Sequence, residues 1–542
     1  MNKEFIISYL EKEIKNILNQ KDSSNLVEIL KNDRKKILFN LNKIYNAKKI
    51  LIIGDKDVDG ITSTIMLKTI IKNLKGERET HTYIPSRYDG YSITFDIAKE
   101  LINSEEYDLI INLDNGSSID YFDGIINNNM QDKFLIIDHH PIGEIKNKNL
   151  SFIINPNLSG NVSTSTGLLI SYIFDVLKNF EKYKNIQIFK KNLPDDYFDE
   201  LRLLSALGDM VSKNSLYNRS EILKGIKKIQ NSDRFLFKKI QQDDIEDIIT
   251  YLNFNIIPLI NSLGRLGTTE EINSFDFETL FFENKDKNKF YKEYDKLIEL
   301  NQFRKELTNY FYNLAIQELN SKEKLPNVFI FYHENMPIGL NGIIAQKIYQ
   351  LKGIPTICVS PHPVKPVELY GSGRGENLKN ILIDFLSKNS FKINFGGHIN
   401  AFGLKLNNNE LNNLKQLESF NYQNKTKKDK VIEDVIINAS EYKEISDYLF
   451  KISKGIPFDF NIKLLIEIND IKLIKKYNDL FALVEIDGEK GFINPEIINN
   501  IVFNDNSNNL YEINLNFSKE IVFNLEKSNK NYYNFKNKIK KA

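Results

Sequence analysis

The chain has 542 residues, too many for one ordinary hydrophobic core, so roughly two to four domains are expected. Hydrophobic residues make up 41% and charged residues 27%, which excludes wholesale disorder, and no apolar run approaches the length of a membrane-spanning helix. The 73 basic and 72 acidic residues leave a net charge of +1, so a polyanionic partner must be met by a local patch. Only nine of the basic residues are Arg, and each is informative because Lys cannot reproduce its planar, bidentate fork. The single cysteine, Cys358, excludes a disulfide framework and a thiolate zinc site; inside an apolar run it reads as core in a reducing cytoplasm.

Residues 1–48 read as an amphipathic helical packing segment, and their mixed Glu and Lys do not read as a signal peptide. From Lys49, short aliphatic runs (ILII at 50–53, LIINL at 109–113, FLII at 134–137, FIIN at 152–155) alternate with helical stretches, the pattern of a parallel sheet flanked by helices. Residues 184–255 read as largely helical, and 283–319 as one long charged connector helix. A second α/β unit follows: NVFIFY, a helix from Leu340 to Leu351, TICVS and VELYGSGRG. The lysine-rich stretch 421–430 suits a linker, and the strand-like runs beyond it suggest a small β-rich domain.

Each of the first three aliphatic runs ends within a few residues of an Asp or His cluster. Open α/β sheets bind ligands beyond the carboxyl ends of their strands, so one shared site is expected. Asp55-Lys56-Asp57-Val58-Asp59-Gly60 puts three carboxylates on one strand-to-helix turn, where they repel each other unless a hard divalent cation neutralises them. A calcium loop lacks its Glu at the twelfth position, which leaves a purely structural turn as the alternative. Asp114-Asn115-Gly116 follows the second run and Asp138-His139-His140-Pro141 the third. Two adjacent histidines point in different directions, so one can ligate a metal while the other faces a substrate. Asp209, in LLSALGDMV, adds a carboxylate that taken singly reads as a helix cap.

GDKDVDG, LDNG, DHHP and the later GD together resemble the four motifs of the DHH phosphoesterase superfamily, and within it the RecJ-type single-strand-specific 5′→3′ exonucleases. IPSRYDGY (84–91), INP (154–156), LINSLGRLG (259–267) and LNQFR (300–304) match that family in order. GLNGIIAQKI (339–348), GSGRG (371–375) and FGGHINAFG (395–403) resemble its DHH-associated nucleic-acid-binding domain. The likeness runs from residue 49 to about 410. It departs at SALGDMV, where a longer small-residue run is usual, and at Gly375, where Ser is common. Pro457-Phe458 is similar to the entrance of the family's OB fold, but no Gly-Asn-Pro follows.

The resemblance implies a DHH domain at 49–282, a connector helix at 283–320, a DHH-associated domain at 321–420 and a β-rich, OB-like domain at 431–542. It implies two divalent cations, Mn²⁺ or Mg²⁺, held by Asp57, Asp59, Asp114, His139 and Asp209, with Asp55 as a further ligand or support. Asp138 would orient the ligating imidazole, and His140 would donate to the scissile phosphate. Substrate contacts are implied at Arg87, Arg265, Ser372, Gly373, Arg374, Gly396, Gly397 and His398, with residues 371–373 forming a glycine turn whose N–H groups converge on an anion. Surface salt bridging is the alternative for the three arginines. The implied protein is a cytoplasmic monomer, off the membrane, that degrades single-stranded DNA in repair and recombination alongside a single-strand-binding protein or helicase. The rival readings are a phosphodiesterase for nanoRNA or cyclic dinucleotides, and an inactive DNA-binding scaffold.

Overall fold

A continuous aliphatic run is stable as a strand only where both faces of the sheet are covered, and the first part of the chain builds that arrangement. The computed structural model describes residues 33–89, 94–142, 150–158, 162–241, 245–389, 393–420, 422, 430–437, 439–453 and short segments between 462 and 527. Residues 1–32 of the expected N-terminal helical segment, Gly90 and Tyr91 of the Arg-bearing loop, most of the 421–430 linker and Pro457-Phe458 lie outside the described residues.

Helix α1 (Arg34–Asn46) leads into β1 (Lys49–Ile53), α2 (Val58–Asn73), β2 (Glu79–Tyr83), α3 (Phe95–Asn103), β3 (Leu109–Leu113), α4 (Ile119–Asn127), β4 (Phe134–Ile137) and β5 (Ile153–Ile154). The strands form one parallel sheet in the order β2-β1-β3-β4-β5. Ile50 and Ile52 face one core, while Leu51 and Ile53 face another that includes Ala98 of α3 and Phe122 of α4. Each fully buried Ile or Leu contributes roughly 1.5–3 kcal/mol. The edge strand β2, ETHTY, has no aliphatic run to announce it.

Helix α2 is buried along most of its length, between the sheet and a helical layer of α5 (Thr166–Lys184), α6 (Asp199–Gly208) and α7 (Leu216–Gln230). Helix α8 (Ile245–Tyr251) passes through a π-helical turn, Leu252–Ile256, into α9 (Ile257–Leu266), followed by α10 (Thr269–Ser274) and α11 (Phe277–Phe282). Helix α9 lies so close to the acidic turn after β1 that a Cβ on Gly264 would come within 2.0 Å of the Lys56 carbonyl oxygen.

Helix α12 (Lys287–Asn320) enters both halves of the molecule. Phe290 and Leu297 belong to the first core, and Phe311, Tyr312, Ala315 and Leu319 to a core of the second unit. That unit is a mixed sheet in the order β6-β7-β8-β10-β9, built from β6 (Phe329–Tyr332), β7 (Thr356–Pro361), β8 (Glu368–Arg374), β9 (Asn394–Gly397) and β10 (Ala401–Asn407). Helices α13 (Asn341–Lys352), α14 (Leu378–Ser387) and α15 (Leu411–Lys415) complete it. Cys358 is fully buried in β7, and burial pushes its thiol pKa far up, as befits a core residue.

The expected glycine turn at 371–373 is corrected. These residues lie inside β8, paired with β7 on one side and β10 on the other, so their backbone groups belong to a ladder. Packing explains the glycines: a Cβ would stand 2.9 Å from Leu404 at Gly371 and 2.6 Å from Phe402 at Gly373.

Further along, β11 (Lys430–Ile437), α16 (Ala439–Ser453), β12 (Ile462–Glu467), β13 (Ile471–Lys476), β14 (Ala482–Ile486), β15 (Glu489–Ile493), β16 (Leu510–Asn514) and β17 (Leu525–Lys527) form two small sheets, β11-β12-β16-β17 and β13-β14-β15. This is the expected β-rich end of the chain. Among the described residues no helix is long and apolar enough to cross a membrane.

Gly264→Ala is expected to destabilise the fold by about 1–3 kcal/mol, because backbone opposes the added methyl. A urea denaturation midpoint equal to that of the parent chain would contradict this packing.

Candidate metal centre

Three parallel strand ends deliver the acidic and imidazole groups. After β1, Asp57 caps α2, its Oδ1 accepting the backbone N–H groups of Asp59 and Gly60 at 3.0 and 3.1 Å. Asp55 accepts from the buried Lys56 Nζ at 2.9 Å. After β3, Asp114 adopts a left-handed φ of 60°, unfavourable for a residue with a Cβ. Asn115 holds that turn by donating to the carbonyls of Leu113 and Ile53 at 2.7 and 3.2 Å. After β4, the carbonyls of His139 and His140 are held by the side chains of Asn157 and Asn155, from the INP segment and the residue after it.

Asp59 is buried against the N-terminus of α5. Its Oδ2 accepts the Thr166 N–H at 2.7 Å, and its Oδ1 accepts the Gly167 N–H at 2.9 Å and the Ser205 hydroxyl at 2.6 Å. First-turn N–H groups have no intrahelical partner and carry the positive end of the helix dipole, so they favour an anion there. Thr166 Oγ1 also donates to Asp114 Oδ1 at 3.0 Å. Sequence reasoning misses Thr166, Gly167 and Ser205. The Ser/Thr run at 163–166 before an apolar helix was the available signal.

Asp209 caps the end of α6, where Met210 (φ 50°) completes a turn in which the N–H groups of Met210 and Val211 bond to the carbonyls of Leu207 and Ala206. Its Oδ2 stands 3.4 Å from His139 Nε2, which is also 3.2 Å from Asp114 Oδ1 and 3.8 Å from Asp59 Oδ2. This nitrogen is buried and makes no hydrogen bond. A ring nitrogen ringed by three carboxylates and aligned with none of them fits a ligand of a shared cation. Among the described residues three groups of potential ligand atoms each lie within 4.8 Å of one another: Asp59, His139 and Asp209; Asp55, Asp57 and Asp114; and Asp114, Asp138, His139 and His140. Carboxylates with one imidazole suit a hard or borderline divalent ion.

The expected pairing of Asp138 with the ligating imidazole is corrected. Asp138 Oδ1 takes the His140 ring Nδ1 at 2.8 Å and meets His139 only through its backbone N–H, also at 2.8 Å. The two rings lie side by side, their centroids 4.6 Å apart, and the buried carboxylate orients that of His140.

Without a cation the cluster resists ionisation. Burial, with Asp55 and Asp59, raises the Asp57 pKa; burial, with Asp59 and Asp57, raises that of Asp114 well above the usual range. Burial pushes Asp209 up to about 7 against the pull of His139. Burial disfavours a charged His140, but the Asp138 hydrogen bond and the charges of Asp138, Asp114 and Asp209 prevail and carry it up to about 11. Burial likewise works to raise Asp138, yet the His140 hydrogen bond and the charges of both histidines hold it below the usual carboxylate range.

Asp55, Asp57, Asp114, Asp138, His140 and Asp209 line a cavity of about 820 Å³ that also reaches Arg87, Phe95 and Tyr121. Arg87 donates to the Gly264 carbonyl at 3.1 Å, Arg265 to the Gly339 carbonyl at 3.1 Å and Arg304 to Asn301 Oδ1 at 2.9 Å. Among the described residues none of these three forms an ion pair with a carboxylate. By contrast, Arg202 and Arg234 are neutralised by Glu221 and Glu200. Burial, with the charges of Arg87, Arg304 and Arg374, drives the Arg265 pKa down to about 9 despite Asp57. Four of the nine arginines thus converge where the two units meet. Arg304, on α12, is a member that sequence reasoning passed over.

Ser372 and Arg374 share the partly exposed face of β8, whereas Gly373 lies on the buried face. Gly342 on α13 leaves room for Arg374, since a Cβ there would stand 2.9 Å from its Nη2. Gly396, Gly397 and His398 lie in the exposed β9–β10 hairpin, and no hydrogen bond or ion pair among the described residues joins them to the carboxylates.

The DHH family's N-terminal domain matches residues 49–198. The single-stranded-DNA-specific exonuclease RecJ of Dickeya dadantii is 26% identical over 390 residues, 68% of this chain and 65% of the relative. That of Salmonella typhimurium is 27% identical over 432 residues, 75% of this chain and 70% of the relative. The chain therefore spans about two thirds of the length of these relatives. Among solved structures, RecJ from Thermus thermophilus in complex with Mn²⁺ superposes with a TM-score of 0.61 at 16% identity, covering 92% of this chain and 72% of that one. A manganese-bound exonuclease RecJ gives a TM-score of 0.53 at 19% identity, over 71% of this chain and 93% of that one. At these identities the likeness establishes the fold.

Raised carboxylate pKa values make the cation-free fold sensitive to pH. Between about pH 4 and 7 the cation-free fold keeps protons that the unfolded chain has shed, so stability falls as pH rises through that window. A divalent cation must displace the same protons. Calorimetric titration with Mn²⁺ is expected to show affinity at least about tenfold weaker at pH 6 than at pH 8, and equal affinities would contradict the shared protonation.

Proposed function

We propose that this chain, which resembles the RecJ-type members of the DHH superfamily, is a divalent-cation-dependent nuclease that removes nucleotides from the 5′ end of single-stranded DNA. The observation that carries this reading is the meeting of two opposite charge excesses. Asp57 belongs to the carboxylate cluster and also interacts electrostatically with Arg87 and Arg265.

Asp57, Asp59, Asp114, His139 and Asp209, supported by Asp55, would hold two cations of the Mn²⁺ or Mg²⁺ type. Such ions, when bound, neutralise charge developing on a phosphodiester and acidify the attacking water. His140, its Nδ1 fixed by Asp138, offers its other nitrogen as a charged donor to a phosphate oxygen. Arg87, Arg265, Arg304 and Arg374, with the Ser372 hydroxyl, suit a terminal phosphate. That group carries more charge than an internal diester, and guanidinium forks bind it with paired hydrogen bonds. The exposed glycine stretch at 396–398 would bring backbone close to the strand. In this reading residues 49–282 are the catalytic domain, 283–320 the connector, and 321–420 and 431–542 extend the nucleic-acid surface. The task served is strand resection in repair or recombination.

His139→Ala is expected to lose cation binding, while His140→Ala keeps it and slows hydrolysis about 10²–10⁴-fold. Equal loss of Mn²⁺ binding in calorimetry would refute that division. Arg374→Lys retains the charge but is expected to lower kcat/KM on 5′-phosphorylated strands about tenfold, with a smaller effect on 5′-hydroxyl strands at the same salt concentration. Degradation from the 3′ end, or of dinucleotides alone, would replace this reading with a short-oligonucleotide phosphodiesterase.

A further inference from the structure

The loop that carries Arg87 is held from two sides. From the first unit, Asn273 of α10 accepts the Ile84 N–H at 2.8 Å and donates to the Ile84 carbonyl at 2.9 Å, while Thr269 Oγ1 accepts the Ser86 N–H at 2.9 Å. Within the loop, Ser86 Oγ donates to Asp89 Oδ2 at 2.8 Å and accepts the Tyr88 N–H at 3.2 Å. From the second unit comes one hydrogen bond among the described residues: His362 Nε2 lies 2.6 Å from the carbonyl oxygen of Tyr88, the residue after Arg87.

His362 follows β7 directly and is only 6% exposed. Its Nδ1 accepts the N–H groups of Val364 and Lys365 at 3.2 and 3.1 Å, so that nitrogen carries no proton. A neutral imidazole has one N–H, which therefore sits on Nε2 and donates to Tyr88. The ring also packs on Tyr370, at 5.6 Å between centroids, and Tyr370 shares the β8 face with Ser372 and Arg374. One buried side chain thus touches both the loop bearing Arg87 and the strand bearing Arg374. A second hydrogen bond near the cluster, from Arg265 to Gly339, fixes α9 to the second unit, and among the described residues His362 is the side chain of that unit that bonds to the loop at 84–89.

We propose that His362 is a positioning residue: it latches the Arg87 loop to the second unit, so that Arg87 and Arg374 face one phosphate from opposite sides of the seam. The inference rests on the terminal-phosphate reading above. Groups displaced by about 1 Å from a charged ligand can lose about 10²-fold in rate. Losing the latch should therefore weaken discrimination of the 5′-phosphate more than hydrolysis in general.

The test uses the full chain and two variants. His362→Phe fills the ring's volume without donor or acceptor, and His362→Gln keeps one of each. kcat and KM are measured with Mn²⁺ on 5′-phosphorylated and 5′-hydroxyl single strands, and Kd for both strands is measured by anisotropy in EDTA. The expected result is that His362→Phe lowers the preference for the phosphorylated strand about tenfold, chiefly through KM and Kd, and that His362→Gln restores most of it. An unchanged preference in His362→Phe would overturn the proposal. So would an equal loss on both strands accompanied by a lowered Tm, which marks a merely structural role. If the parent chain itself ignores the 5′-phosphate, the phosphate reading fails first and the latch falls with it.

Discussion

Mutual repulsion of buried carboxylates is the constraint around which the first unit is arranged. Asp59, Asp114 and Asp209 all approach one nitrogen of His139, and Asp57 and Asp55 crowd Asp114 from the other side. Two unit charges about 4 Å apart repel by about 4 kcal/mol at an effective dielectric of 20. The N-terminus of α5 holds Asp59, but a helix end offsets at most about 2 kcal/mol. Hydroxyls and helix ends therefore fix the geometry without neutralising the charge. Either protons or cations must complete it, and the raised pKa values of Asp57, Asp114 and Asp209 are the proton solution.

The opposite excess lies across the seam. Arg202 and Arg234 show how this fold treats an arginine that serves structure: each is paired with a buried glutamate. Arg87, Arg265 and Arg304 instead donate to carbonyl or amide oxygens, and among the described residues none of them forms an ion pair with a carboxylate. In the proposed function, a cation-holding cluster beside an anion-holding one would seat a phosphate ester between them. Helix α12 makes the juxtaposition durable, because its two halves are built into the cores of different units and cannot shift without disturbing both.

Much of this was legible along the chain. The parallel sheet followed from ILII, LIINL and FLII, since uninterrupted aliphatic strands require cover on both faces, and the ends of those strands named Asp57, Asp114 and His139. Errors arose where one local pattern has two physical causes. Gly371 and Gly373 read as a turn because glycine permits unusual dihedrals, but here it serves close packing against Leu404 and Phe402. Asp138 was assigned to the wrong ring because adjacency does not say which neighbour a side chain reaches.

The sequence by itself determined the α/β class, the clustered carboxylates at strand ends and the scarcity of arginine that makes Arg87, Arg265 and Arg374 stand out. These are properties of local pattern and of residue chemistry. Only the tertiary structure decided that Thr166, Gly167 and Ser205 hold Asp59, that Arg304 joins the seam, and that His362 reaches Tyr88 across 274 residues. Such partners have ordinary local roles as helix-opening, helical and post-strand residues. Their chemistry comes from which backbone or charge the fold sets within about 3 Å of them, and a hydrogen bond at that range leaves no periodicity in the chain to read.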